Sequence, residues 1–172
     1  MLPLFVAETD FPLAPAISEA LHAAVDRSDT GYTAPRAGVT DAYAAFAERR
    51  FGWAPDPRRM RTTCDVMMGI VEVLRAVIDP GDRVVVTPPV YPPFFASIPE
   101  AGGTVERVPL LRSGARCELD LDGIERALAA GARAVLLCNP HNPTGTVHSA
   151  ESLRALAALA AAHDAVVLSD EI

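Results

Sequence analysis

Short runs that are apolar on both faces constrain this chain more than any other feature. Val84-Val85-Val86 and Val135-Leu136-Leu137 leave no polar face for water, so each must be covered on two sides. Between such runs lie longer segments with apolar residues at helical spacing. Strands are expected at Met60–Thr63, Arg83–Thr87, Thr104–Pro109, Ala134–Cys138 and Ala165–Ser169. Helices are expected between them, at about 69–78, 91–101, 120–130 and 149–163. Strand alternating with helix predicts an α/β fold, a mostly parallel sheet with helices on both faces.

The first fifty residues read differently. Residues 1–13 are expected to be extended, because Pro3 and Pro12 block a helix. Pro15 suits a helix start, and Ile17, Leu21, Ala24 and Val25 then share one face. Asp29, Thr30, Gly31, Pro35 and Gly38 mark Ser28–Gly38 as a loop. A second helix is expected from about Val39 to Arg50, burying Val39, Tyr43, Phe46 and Ala47, with Gly52, Pro55 and Pro57 ending it. The predicted organisation is therefore an arm with helices over 1–50 and a larger, incomplete α/β unit over 51–172.

Half of the 172 residues are hydrophobic, enough for a buried core, and the net charge is −7. An acidic chain is a poor partner for nucleic acid, yet backbone amides can still hold one phosphate. Glu8 and Asp10 cut the opening apolar run short, so neither a leader nor a membrane span is read and a cytoplasmic location is expected. Cys64, Cys117 and Cys138 show no metal or disulfide spacing and read as reduced, mostly buried thiols.

In a parallel α/β sheet, ligands bind beyond the carboxyl ends of the strands. Four segments there stand out. Gly69 and Ile70 open a helix where amides could meet a phosphate, although an ordinary strand–helix turn looks the same. Tyr91, held among Pro88, Pro89, Pro92 and Pro93, could offer a flat ring for stacking or fill the core. Asn139-Pro140-His141-Asn142-Pro143-Thr144-Gly145 forms a constrained turn, since residues before proline are held extended, and it aims the Asn142 amide. Asp170 ends the last strand, where a buried carboxylate needs a partner unless it caps a following helix. His141 is expected at a pocket rim, and His22, His148 and His163 at the surface; no catalytic triad or metal set emerges.

Taken together, Asn139–Gly145, Ser169-Asp170-Glu171-Ile172 and Pro89-Val90-Tyr91 resemble the NPxNPTG turn, strand-end aspartate and stacking aromatic of the class I/II aminotransferase family, pyridoxal 5'-phosphate (PLP) enzymes of fold type I. Within it the chain is most similar to the cystathionine β-lyase-like C–S lyases (the MalY/PatB branch). Leu2–Pro12, Gly31-Tyr32-Thr33 and Pro89–Phe94 carry that likeness, with Phe5 where tryptophan is usual and Glu8-Thr9 where Asp-Met is usual. The resemblance implies a three-layer PLP-binding large domain, with residues 1–50 belonging to an arm and part of a small domain. It implies stacking by Tyr91, a hydrogen bond from Asn142 to the ring's phenolic oxygen, pairing of Asp170 with the ring nitrogen, and phosphate contacts from Gly69 and Ile70. Tyr32 would reach the phosphate of a neighbouring copy in a homodimer. The implied reaction is C–S β-elimination of cystathionine or a cysteine conjugate to a thiol, pyruvate and ammonia. Transamination on the same pocket, or a non-catalytic remnant, are the alternatives. The family's Schiff-base lysine has no counterpart, because all 15 basic residues are arginine; a fragment inactive by itself is therefore expected.

Overall fold

Consecutive valines and leucines build the middle of the sheet, and the two faces they cover place everything else. The computed structural model describes residues 11–32, 38–114 and 116–172. The extended reading of residues 1–10, most of the Leu2–Pro12 motif, and Thr33 fall outside the described residues. Contacts divide the chain into two units, Met1–Arg61 and Thr62–Ile172.

In the first unit, α1 spans Pro15–Asp26 with a proline in its first turn. Helix α2 spans Val39–Phe51 between Gly38 and Gly52, both at positive φ, where a Cβ would be strained. A single 3-10 turn at Pro57–Arg59 packs on α2 and is capped by Asp56, whose carboxylate accepts the Arg58 N–H. The expected burial of Val39, Tyr43 and Phe46 is corrected: all three are exposed, and of that set only Ala47 is buried. The face that carries them is not covered by described residues.

The second unit holds a four-stranded parallel sheet of β1 (Arg83–Val86), β2 (Thr104–Arg107), β5 (Ala132–Cys138) and β6 (Val166–Asp170), in the order β2-β1-β5-β6. The expected strand Met60–Thr63 does not form; that segment is irregular and pairs with no strand. A short antiparallel hairpin appears instead at β3 (Leu111–Ser113) and β4 (Arg116–Glu118). The helices are α3 (Val66–Val77), α4 (Phe94–Glu100), α5 (Leu121–Ala129) and α6 (Ala150–Ala162).

Side chains of a strand point alternately to its two faces, and the core follows that count. Val84, Val86, Ala134, Leu136 and Cys138 pack with Ile70, Leu74, Phe94 and Ile98 from α3 and α4. Val85, Val135 and Leu137 pack with Ile124, Leu128 and Leu156 from α5 and α6. The two-sided apolar runs are thus sandwiched between helical layers, each buried Val, Leu or Phe contributing about 1.5–3 kcal/mol.

Candidate cofactor site at the carboxyl ends of the strands

The connection from β1 runs outward to β2 on one side of the sheet, and the connection from β5 runs outward to β6 on the other. The gap between β1 and β5 is therefore a topological switch point, where an open parallel sheet offers its ligand crevice. Tyr91 follows β1 and the Asn139–Gly145 turn follows β5, so the two flank that gap.

Asp170 closes β6 directly beside Cys138, its register partner on β5. Its backbone carbonyl accepts the Asn139 N–H at 2.9 Å. Asp170 is 9% exposed, and one of its carboxylate oxygens accepts the Ile172 N–H at 3.2 Å. Among the described residues, no arginine or histidine lies within ion-pair distance of this carboxylate. A buried anion without a cation is costly, so the donor set fits a ligand that brings its own positive N–H.

Cys138, beneath the turn, is buried, and its Sγ accepts the Asn142 N–H at 3.3 Å and lies 3.5 Å from the Pro140 carbonyl. That bond holds the backbone of Asn142, whose side chain remains exposed. Burial pushes the Cys138 thiol up; the Asn142 N–H works the other way, and Asp170 adds to the rise. The expectation of mostly buried thiols is corrected here, since Cys64 is exposed and Cys117 half-buried. No sequence signal marked Cys138 as a support for the turn.

The turn itself is closed by two bonds of 2.7 Å, from the His141 N–H to the Thr146 carbonyl and from the Gly145 N–H to the His141 carbonyl. Gly145 has φ of 69°, a conformation that favours glycine. His141 is 1% exposed, not on a rim, and its Nε2 lies 2.8 Å from the Pro89 carbonyl. His148 is likewise buried, not on the surface: its ring meets that of His141 edge-on at 5.5 Å, and its backbone N–H donates to Asn139 Oδ1 at 3.1 Å. Burial, and next the neighbouring His141, lower the His148 pKa. With Arg116, Glu118, Thr144 and Ser149, His148 lines a cavity of about 430 Å³ that Tyr91, Asn142 and Asp170 do not border.

Tyr91 is half-buried and meets Phe94 edge-on at 5.8 Å. With Met67 it packs against the cluster that contains Ile70, Val90, Cys138 and Leu168. The start of α3, the end of β1, the end of β5 and β6 thus share one apolar foundation.

Gly69 and Ile70 lie within helix α3, past its first turn. Helix α3 begins earlier than expected, because Asp65 caps it by accepting the Met68 N–H at 2.7 Å. The Gly69 N–H already donates to the Asp65 carbonyl at 3.1 Å, and Ile70 is buried one residue deeper. A Cβ at Gly69 would come 3.3 Å from Thr63 Oγ1. In the first turn, the amides of Val66 and Met67 precede the first helical acceptor and stay available. Tyr32 is fully exposed and belongs to the other unit.

Residues 3–172 match the family model described as Aminotransferase class I and II. Cystathionine beta-lyase of Corynebacterium glutamicum is 41% identical over 172 residues, covering 100% of this chain and 45% of the relative. Aspartate/prephenate aminotransferase of Thermus thermophilus is 33% identical over 175 residues, again 100% of this chain and 45% of the relative. The crystal structure of cystalysin from Treponema denticola, which contains a pyridoxal 5'-phosphate cofactor, superposes with a TM-score of 0.91 at 28% identity, over 99% of this chain and 44% of that one. The fold is thus that of the type I PLP enzymes, and the chain spans less than half the length of the proteins it matches.

Proposed function

Because the chain belongs to the aminotransferase class I and II family, we propose that it forms the cofactor grip of a PLP-dependent C–S lyase acting on cystathionine or a cysteine conjugate. The observation that carries this reading is Asp170, a buried carboxylate with no cationic partner among the described residues, at the tip of a strand beside the switch point. It would pair with the pyridine nitrogen and favour the protonated ring, because an adjacent negative charge stabilises the cation. Tyr91 would lie against the ring face, and Asn142 would donate its side-chain N–H to the phenolic oxygen. The phosphate would sit at the start of α3, on the Val66 and Met67 amides and the positive end of the helix. Exposed Tyr32 would serve the phosphate of a second copy. When bound, PLP supplies the electron sink for a carbanion at the substrate's α-carbon.

These 172 residues contain no lysine, so no side chain here can form the family's covalent link or shuttle the α-proton as an amine. The chain by itself would hold the cofactor without reacting. Titrating PLP into the purified chain should show saturable binding, and borohydride treatment should leave no adduct on a side chain. Asp170→Asn should weaken binding roughly ten- to a hundredfold, the worth of a hydrogen bond to a charged group, with an unchanged circular dichroism spectrum. Equal binding by that variant would sink the reading. In a longer reading frame that includes a lysine, pyruvate release without an acceptor keto acid identifies the lyase, whereas dependence on the acceptor identifies an aminotransferase, the activity named for the Thermus relative.

A further inference from the structure

We propose that His141 is a positioning residue whose Nε2–H latches the Tyr91 loop to the Asn142 turn. This deepens the reading above and rests on it for its purpose, which is to keep two ring contacts at one spacing. Chemistry fixes the tautomer. The Pro89 carbonyl, 2.8 Å from Nε2, can only accept, so Nε2 carries the proton. The other ring nitrogen, Nδ1, is buried with no hydrogen-bond partner among the described residues. A histidine present only to fill space would not need to orphan one nitrogen in order to aim the other.

The connectivity makes the bond a latch. Pro89 lies two residues before Tyr91, and His141 adjoins Asn142. The residue's own backbone closes the turn at both ends, to Thr146 and from Gly145, each at 2.7 Å. The ring is therefore carried by the turn and cannot shift without it. His148 lies against the ring edge-on, at 5.5 Å and 75°, which limits its rotation. Between the elements that carry Tyr91 and Asn142, this side-chain bond spans 52 residues of sequence.

Three substitutions separate a latch from a filler. In His141→Gln the amide nitrogen reaches about as far as Nε2; in His141→Asn it reaches only as far as Nδ1; His141→Leu keeps apolar bulk and no donor. Amide hydrogen exchange is read on peptides covering 90–98 and 139–149, with peptides of α5 and β5 as the control for folding. For Asn and Leu, exchange should rise together in both loop peptides, roughly five- to tenfold for one lost hydrogen bond, with the control unchanged. Gln should restore wild-type protection. If the 90–98 peptide is unaffected by Asn and Leu, or if Gln exchanges as fast as Asn, the latch is overturned. Should Leu fail to fold, the Gln–Asn pair alone decides. PLP titration of the wild-type chain is run alongside: absence of saturable binding removes the cofactor reading, while the exchange result still decides the latch.

Discussion

Burial pushes the Cys138 thiol up, away from the reactive thiolate form, and a buried thiol is a poor nucleophile. Iodoacetamide should therefore label exposed Cys64 first, half-buried Cys117 next, and Cys138 only on unfolding, as peptide mass mapping would reveal. Labelling of Cys138 in the folded chain at the rate of Cys64 would contradict its place beneath the turn. His148 makes a pH prediction. Its folded pKa lies below the ordinary 6.5, through burial first and then His141, so the unfolded chain binds the extra proton more readily. This contribution to stability is complete above pH 6.5 and is lost as pH falls through the lowered value. The groups around it are His141, and Arg116 and Glu118 on the shared cavity. The thermal midpoint should drop between about pH 7 and pH 5, and His148→Gln should flatten that slope. Neither histidine's burial was legible beforehand, since it depends on what the chain folds over the turn. The turn itself was legible, because prolines at 140 and 143 restrict their neighbours wherever they occur.

Helix α3 shows how a cap can be overlooked beside a glycine. Asp65, directly before an apolar run of helical period, is an N-cap signal in its own right, yet Gly69 drew the expected start inward. The consequence is electrostatic: Asp65 places its carboxylate on the Met68 amide, at the same helix end where a phosphate would sit. Asp65→Ala should destabilise the chain by about 0.5–2 kcal/mol through the lost cap. It should also raise affinity for PLP several-fold by removing a like charge, while leaving affinity for pyridoxal, which lacks the phosphate, unchanged. Calorimetric titration with both ligands checks this. Strands β1 and β5 were readable because two-sided burial writes itself into consecutive Val and Leu residues. The β3–β4 hairpin was not, because three-residue strands such as Arg116–Glu118 carry no run long enough to show a period. Met60–Thr63 had β-branched residues but no neighbour to pair with, and a strand is made by its partner as much as by its own residues.

For the molecule as a whole, the division between Arg61 and Thr62 separates the helical first unit from the sheet. Arg58, Arg59 and Arg61 are exposed at that boundary, whereas Arg83 and Arg133 lie within strands. Brief trypsin treatment should accumulate a fragment that begins at Thr62, detected by intact mass. Simultaneous loss of both units would show that they unfold as one. That α/β character belongs to the later part of the chain was plain from its alternation; the strand order β2-β1-β5-β6 was not, since pattern alone does not say on which side of β1 the next strand will lie.

The parallel register across β5 and β6 has a further implication. Cys138 stands level with Asp170, and Leu137 with Ser169. Slipping β6 by a single position would bring Ser169, exposed and uncharged, to the row where the carboxylate now stands. The identity of the group that stands beside Cys138 is thus decided by counting along a ladder whose rungs are main-chain bonds. An insertion of one residue ahead of Ser169, with the start of the strand held in register, would exchange an acid for an alcohol at that row.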